Sequence, residues 1–177
     1  ELWWDSSPLI FNSWKQELLA KQSDAIKKAS LDVQLSRLYN DNQPTKSLFA
    51  GVTTNPPLSL QVIKNDPEYW QKWTQELVAN YQKAEKNELF WKLYGELIGR
   101  GAKLYQPIFE ASGYKRGYLS GQVDPRNLSD IAEMVRQGVS INRTNRNVMV
   151  KMPGTKEGIY GIMVLTSLGI PTNATLV

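Results

Sequence analysis

The sequence contains neither cysteine nor histidine among its 177 residues. Without cysteine the chain forms no disulfide and offers no thiolate as a nucleophile or a metal ligand. Without histidine it cannot carry Ser-His-Asp or Cys-His catalysis, and most types of zinc site are excluded. Any acid–base chemistry therefore falls to Asp, Glu, Lys or Tyr side chains, or to a positioned water.

Long hydrophobic runs and blocks of like charge are also missing. No apolar run approaches the ~18 residues of a membrane helix, and no stretch resembles a secretory signal, so we expect a cytoplasmic protein without membrane contact. The net charge is +4 and the isoelectric point about 9.2, but the basic residues are scattered along the chain. This pattern favours a solvated surface or a site for phosphorylated metabolites over nucleic acid as a partner.

Short apolar runs alternate with longer helical patterns along the chain. Strand-like runs lie at residues 2–4, 48–55, 117–123, 147–152 and 171–177. The first helical spacing extends from Ser13 to about Leu38, with Trp14, Leu18, Ile26 and Leu35 among its apolar positions. The alternation indicates βα units and a parallel sheet. Since no flexible linker interrupts it, residues 1–177 are predicted to form a single domain.

Polar side chains stand at the end of every strand-like run. They are Asp5, then Thr53, Thr54 and Asn55, then Gln122 and Asp124, then Lys151, and finally Asn173 and Thr175. In a parallel α/β barrel, reactive side chains collect at the carboxyl ends of the strands. Residues far apart in sequence are therefore predicted to meet around one pocket.

The fourth run, VMVKMPGT, places Lys151 within an apolar segment. A lysine amine in water is protonated and is not a nucleophile. Burial among apolar neighbours such as Val150 and Met152 would disfavour the charged form, and a neutral amine attacks a ketone or aldehyde to form a Schiff base. Two alternatives stay open, since the amine can also reach water or pair with Asp5.

Five motifs in fixed order carry a family resemblance: WWDSS, GVTTNPPL, SGQVDPR, VMVKMPGTKEG and GIPTNATLV. Together they resemble the transaldolase family, class I aldolases with a TIM (β/α)8 barrel. The resemblance implies that residues 1–177 form the amino-terminal portion of such a barrel. They would cover about its first five βα units and leave it incomplete at the C-terminus, because a TIM barrel has eight strands.

The resemblance also implies catalytic roles. Lys151 is similar to the Schiff-base lysine of the family, and Asp5 to the acid/base at the C4 hydroxyl of the donor sugar. Thr175 matches a threonine that helps to orient a catalytic water. Gln122 stands where many members have Glu; it cannot exchange a proton at neutral pH, but it can position a water by hydrogen bonds.

Substrate-binding roles are implied in the same way. Asn55 and Asn173 match asparagines that hold the dihydroxyacetone unit, and Thr53 lies beside Asn55 in the same loop. For Asp124 and Arg126 a structural role is predicted instead, with Asp124 capping the next turn and pairing with Arg126.

The expected reaction is that of a transaldolase in the pentose phosphate pathway. A dihydroxyacetone unit passes from a ketose phosphate, such as sedoheptulose 7-phosphate or fructose 6-phosphate, to an aldose phosphate. No cofactor or metal is expected, the expected partners are sugar phosphates, and a homodimer is left open. Gln122 keeps one alternative open, because a glutamine also occurs there in related fructose-6-phosphate aldolases. A second alternative is an inactive barrel fragment that serves as a binding or structural module.

Overall fold

The computed structural model describes residues 1–175, which form one five-stranded parallel sheet in the order β1-β2-β3-β4-β5 with helices between the strands. The strands are β1 (Leu2–Asp5), β2 (Phe49–Thr53), β3 (Tyr118–Gln122), β4 (Val148–Pro153) and β5 (Thr172–Thr175). The helices are α1 (Phe11–Ala20), α2 (Ala25–Leu38), α3 (Pro56–Asn65), α4 (Pro67–Asn80), α5 (Lys86–Ala111), α6 (Ile131–Asn142) and α7 (Lys156–Ser167). This curled, partial barrel confirms the predicted α/β fold class. The last two residues of the predicted fifth strand, Leu176 and Val177, lie outside the described residues.

Polar caps begin the helices that follow β2, β3 and β4. Asn55 accepts a hydrogen bond from the backbone N–H of Leu58 at the start of α3, whose first two residues are prolines. Asp130 caps α6, and Thr155 caps α7. These caps satisfy backbone N–H groups that have no partner in the first helical turn. The caps therefore fix the residues at which these three helices begin.

The predicted helical stretch from Ser13 to Leu38 is in fact two helices, α1 and α2. The break has a local cause, because the Asp24 carboxylate accepts hydrogen bonds from the backbone N–H groups of Ile26 and Lys27 and so starts a new helix. Ile26, which the spacing places among the apolar positions, is 83 % exposed. The apolar periodicity predicted helical structure correctly but did not indicate this cap.

The main core lies between the helices and one face of the sheet. Its sheet side consists of Leu119, Val148, Val150 and Met152, each at most 1 % exposed, and its helix side includes Ile98, Met134 and Leu165. Burying a side chain of this size contributes roughly 1.5–3 kcal/mol relative to leaving it exposed. The helix-facing side of β3 and β4 is therefore where the sheet gains much of its stability.

Helix α7 approaches the end of β4 very closely. A Cβ atom at Gly158 would overlap the carbonyl oxygen of Pro153, and one at Gly161 would lie 2.5 Å from the Cε atom of Met152. Only glycine fits at Gly158, since the atom in its way belongs to the backbone. At the other end of α7, Gly169 has a φ of 75° and ends the helix as the sequence predicts.

Candidate active site

Three predicted site residues share one row across neighbouring strands. Gln122 on β3 is paired in register with Lys151 on β4, and Lys151 is paired with Asn173 on β5. Neighbouring strands lie about 4.8 Å apart, and paired residues project to the same side of the sheet. Lys151 is therefore flanked on both sides by a side-chain amide, and all three residues are half-buried.

A second row holds the predicted acid/base. Asp5 on β1 is paired with Thr53 on β2, and the Thr53 hydroxyl donates a hydrogen bond of 2.7 Å to the Asp5 carboxylate. Thr53 is in turn paired with Ser120, two residues before Gln122 on β3. Because side chains alternate along a strand, this row lies on the same face as the row of Lys151, one step nearer the strand starts.

Lys151 is not enclosed by apolar side chains in the way that its local sequence suggests. Val150 and Met152 lie within the core on the helix-facing side of β4, and alternation puts Lys151 on the opposite face. Lys151 is half-buried rather than buried. Among the ion pairs of residues 1–175, none joins Lys151 to Asp5. Its neighbours in register are thus polar, and the prediction of an apolar enclosure is wrong.

The remaining predicted residues lie at the same edge of the sheet. Asn55 follows β2, and its side-chain oxygen serves as the cap of α3, so its amide NH2 is the part that can contact a ligand. Thr175 is two residues beyond Asn173 on β5 and is paired with Pro153. Parallel topology thus brings all seven predicted residues to the carboxyl ends of the strands, while their chemical roles stay predictions.

Sequence reasoning missed Ser120 on this face, where Trp3 also lies. Ser120 is 0 % exposed, and its hydroxyl forms no hydrogen bond with the described residues. Trp3 lies on the same face as Asp5, and its ring occupies the space where a Cβ atom of Gly51 would lie, 2.7 Å from the Cζ3 atom. Counting back two residues from Gln122 would have found Ser120, because a strand repeats every two residues.

The predicted structural pair of Asp124 and Arg126 is confirmed. Asp124 is 3 % exposed, and its carboxylate accepts hydrogen bonds from the backbone N–H and the guanidinium of Arg126. These bonds lower the pKa of Asp124 below its ordinary value, although burial opposes the shift. Arg126 also donates to the side-chain oxygen of Asn87 on α5. The loop after Gln122 is therefore attached to the helix layer.

A wide groove of about 1090 Å³ lies elsewhere, between α4, α5 and α6. Trp73, Glu88, Arg100 and Glu133 are among its lining residues, which include none of the seven predicted site residues. We place the candidate site at the strand ends because the polar side chains converge there.

The described part of the chain holds no group of three or more acidic side chains placed to bind a metal ion. No helix within residues 1–175 combines the length and the apolar character needed to cross a bilayer.

Parallel strands joined by helices, with polar side chains gathered at the carboxyl ends, define an α/β barrel-type protein with a candidate site at the strand ends. A family model described as "Transaldolase/Fructose-6-phosphate aldolase" matches residues 23–177. The chain belongs to this family.

Individual relatives are similar at a moderate level. A transaldolase from Helicobacter pylori is 28 % identical over 156 residues, which cover 87 % of this chain and 46 % of that protein. A transaldolase from Thiobacillus denitrificans is 31 % identical over 129 residues, 72 % of this chain and 35 % of that protein. One from Trichodesmium erythraeum is 30 % identical over 153 residues, 80 % of this chain and 38 % of that protein. The chain thus spans less than half the length of these curated relatives.

Proposed function

We propose that the chain carries the amino-terminal catalytic portion of a transaldolase, which transfers a dihydroxyacetone unit between sugar phosphates through a Schiff base on Lys151. The observation that carries the proposal is the row of Gln122, Lys151 and Asn173. It supplies an amine flanked by two groups that hydrogen-bond hydroxyls or water, within a chain of this family. Residues 1–177 would form a single domain that corresponds to about the first five βα units.

The reaction begins when the amine nitrogen of Lys151 attacks the C2 carbonyl of the ketose; the carbonyl oxygen takes one proton from the amine and one from solvent and leaves as water, which gives a protonated imine. The Asp5 carboxylate then takes the proton of the C4 hydroxyl. The electron pair of the C3–C4 bond moves into the imine, an aldose phosphate leaves as the aldehyde, and an enamine remains on Lys151. The hydrogen bond from Thr53 holds the Asp5 carboxylate in place for this step.

The second half of the reaction reverses these steps with another aldehyde. The enamine carbon attacks the acceptor carbonyl, and Asp5 returns its proton to the new hydroxyl. Asn55 and Asn173 hold the three-carbon unit during the exchange, and Gln122 and Thr175 orient the water that hydrolyses the imine. The electron sink is the protonated imine itself, so the proposed steps use side chains and water alone.

Reductive trapping tests the proposal directly. The chain is incubated with fructose 6-phosphate, reduced with sodium borohydride and analysed by peptide mass spectrometry. We expect an adduct on Lys151, its loss in Lys151→Met, and its retention in Lys156→Met, which removes an exposed lysine at the start of α7. Absence of an adduct from the unaltered chain would leave the inactive barrel module as the better description.

An aldolase that releases dihydroxyacetone is the second candidate, and Gln122 is the feature that favours it. Both enzymes form the same adduct, so trapping does not separate them. Product analysis with and without erythrose 4-phosphate separates the two enzymes. A transaldolase forms a new ketose only when the acceptor is present, whereas an aldolase releases free dihydroxyacetone without it.

A further inference from the structure

The backbone N–H of Gln122 has an unusual partner. In a parallel sheet, successive N–H groups of a strand point to alternate neighbours. The N–H of Val123 donates to the carbonyl oxygen of Lys151 on β4, so the N–H of Gln122 points towards β2. The N–H of Thr54 donates to Ser120 O, and the chain then turns at Asn55 into α3. At the level of Gln122, strand β2 has therefore ended.

The hydroxyl of Tyr94 on α5 occupies the place of the missing strand. The Gln122 N–H donates a hydrogen bond of 3.0 Å to the Tyr94 oxygen. Tyr94 is 1 % exposed, and its ring belongs to the core cluster with Leu119 and Val123, the residues on either side of this part of β3. A helix side chain that is fixed by core packing thus completes the hydrogen bonds of the strand end.

We propose that Tyr94 is a positioning residue, which holds the last residue of β3 so that the Gln122 side chain stays beside Lys151. This inference rests on the proposed function, because it needs Gln122 to act on the bound intermediate. Without the Tyr94 hydroxyl the Gln122 N–H loses its acceptor, and the strand end is free to fray. A displacement of about 1 Å in such a group can cost on the order of 10²-fold in rate.

The protonation state of the Tyr94 hydroxyl does not change near neutral pH. Burial raises its pKa, while the hydrogen bond from the Gln122 backbone partly lowers it, and the net shift is upward. The hydroxyl therefore stays protonated through the neutral range. Loss of the group by substitution should accordingly change the amplitude of the pH–rate profile and leave its midpoints in place.

Tyr105 provides a matched control on the same helix. It lies 11 residues after Tyr94, which is close to three full turns of an α-helix, so both rings leave α5 from nearly the same side. Tyr105 is 0 % exposed, and its hydroxyl forms no hydrogen bond with the described residues. Tyr94→Phe and Tyr105→Phe remove the same atom, but only the first removes an acceptor from β3.

The experiment measures single-turnover adduct formation and imine hydrolysis with fructose 6-phosphate for both variants, below their unfolding temperatures. We expect Tyr94→Phe to slow hydrolysis about 10- to 100-fold with little change in the half-saturating sugar concentration, and Tyr105→Phe to match the unaltered chain. Gln122→Ala completes a double-mutant cycle. If Tyr94 acts through Gln122, Tyr94→Phe has no further effect in the Gln122→Ala background.

The outcomes separate the inference from the proposed function. If the unaltered chain forms no adduct, the proposed function fails and the inference fails with it. If it forms the adduct but Tyr94→Phe equals Tyr105→Phe, or adds fully to Gln122→Ala, only the positioning role is overturned. A further measurement needs no variant: amide hydrogen exchange at Gln122 should be as slow as at Leu119, and unprotected exchange there would also overturn the inference.

Discussion

The two faces of β4 differ sharply although their residues alternate along one short segment. Val150 and Met152 point to the helices and are 0 % exposed, whereas Met149 and Lys151 point the other way and are half-buried. On β3 the helix side is also buried, with Leu119 at 1 % exposure, but the opposite face is mixed, since Ser120 is 0 % exposed and Gln122 is half-buried. The comparison shows how a six-residue strand can pack into the core on one face and present polar side chains such as Lys151 on the other, since neither face needs the other's side chains.

The division has a consequence for mutations. Substitutions on the helix-facing side should change the free energy of unfolding and leave the chemistry of folded molecules in place. Those on the opposite face should change the chemistry with little effect on folding. The following variants test this separation, beginning with the largest expected effect.

Asp5→Asn should have the largest effect, and only on the chemistry. The amide cannot accept the C4 hydroxyl proton, so the rate of carbon–carbon cleavage should fall about 10²- to 10⁴-fold. Adduct formation on Lys151 should continue, and the melting temperature should stay within about 2 °C because Asp5 is exposed. Thr53→Val, which removes only the hydrogen bond to Asp5, should lower the same rate less. Equal loss of rate in both variants would count against Asp5 as the base.

Met152→Ala should lower the stability of the fold and leave the chemistry in place. It opens a cavity in the core between β4 and the helices, so the free energy of unfolding measured in urea should fall by about 2–5 kcal/mol. Met149→Ala, on the other face of the same strand, is the matched control and should have a smaller effect because Met149 is only half-buried. Trapping with borohydride should still label Lys151 in the folded fraction of Met152→Ala. Loss of labelling in a fully folded sample of Met152→Ala would show that the two faces are coupled.

Asn55 joins both kinds of role in one side chain, so two substitutions should separate them. Asn55→Ala removes the cap of α3 and should destabilise the chain by about 0.5–2 kcal/mol. Asn55→Asp keeps an oxygen for the Leu58 N–H but loses the NH2 donors, so stability should be retained while sugar affinity falls about tenfold. Comparison of urea unfolding with the sugar dependence of trapping gives both quantities. If Asn55→Asp binds sugar normally, its amide does not contact substrate.

The smallest expected effect concerns Asp124 and pH. Its pKa is lower in the folded chain than in the unfolded chain, because Arg126 donates hydrogen bonds to the carboxylate. The resulting stabilisation is present above the unfolded value of about 3.9 and is lost as the pH falls through the folded value. Asp124→Asn should therefore remove about 1 kcal/mol at neutral pH, a small figure because solvent screens the exposed guanidinium. Unfolding curves between pH 7 and pH 3 would detect the change, and Arg126→Gln should flatten the same acidic limb.

The strands and their polar ends were predictable because each signal is local. A short apolar run that is followed by Asn55 and two prolines predicts a strand that ends there. A helical pattern that is followed by Gly169 predicts the end of a helix. The motifs quoted in order then identified the family, which the match over residues 23–177 confirms. The break at Asp24 was equally local, but the apolar spacing across it was continuous enough to hide the cap.

The surroundings of individual side chains were harder to predict. The run VMVKM suggested that Lys151 is enclosed by apolar groups, but the strand turns Val150 and Met152, its two adjacent residues, to the other face. The contact of Tyr94 with Gln122 joins residues 28 positions apart, so no local pattern indicates it. The same holds for Trp3 over Gly51, which depends on how β1 and β2 pair.

The absence of a side chain at Gly158 lets α7 begin directly against the carbonyl oxygen of Pro153, two residues after Lys151. Because no side chain separates Gly158 from Pro153, the first turn of α7 packs directly against the end of β4. A single methyl group at position 158 would displace α7 outwards, together with the short connection through Gly154 and Thr155. Glycine at this one position therefore sets the shortest distance between β4, which carries Lys151, and the helix that follows it.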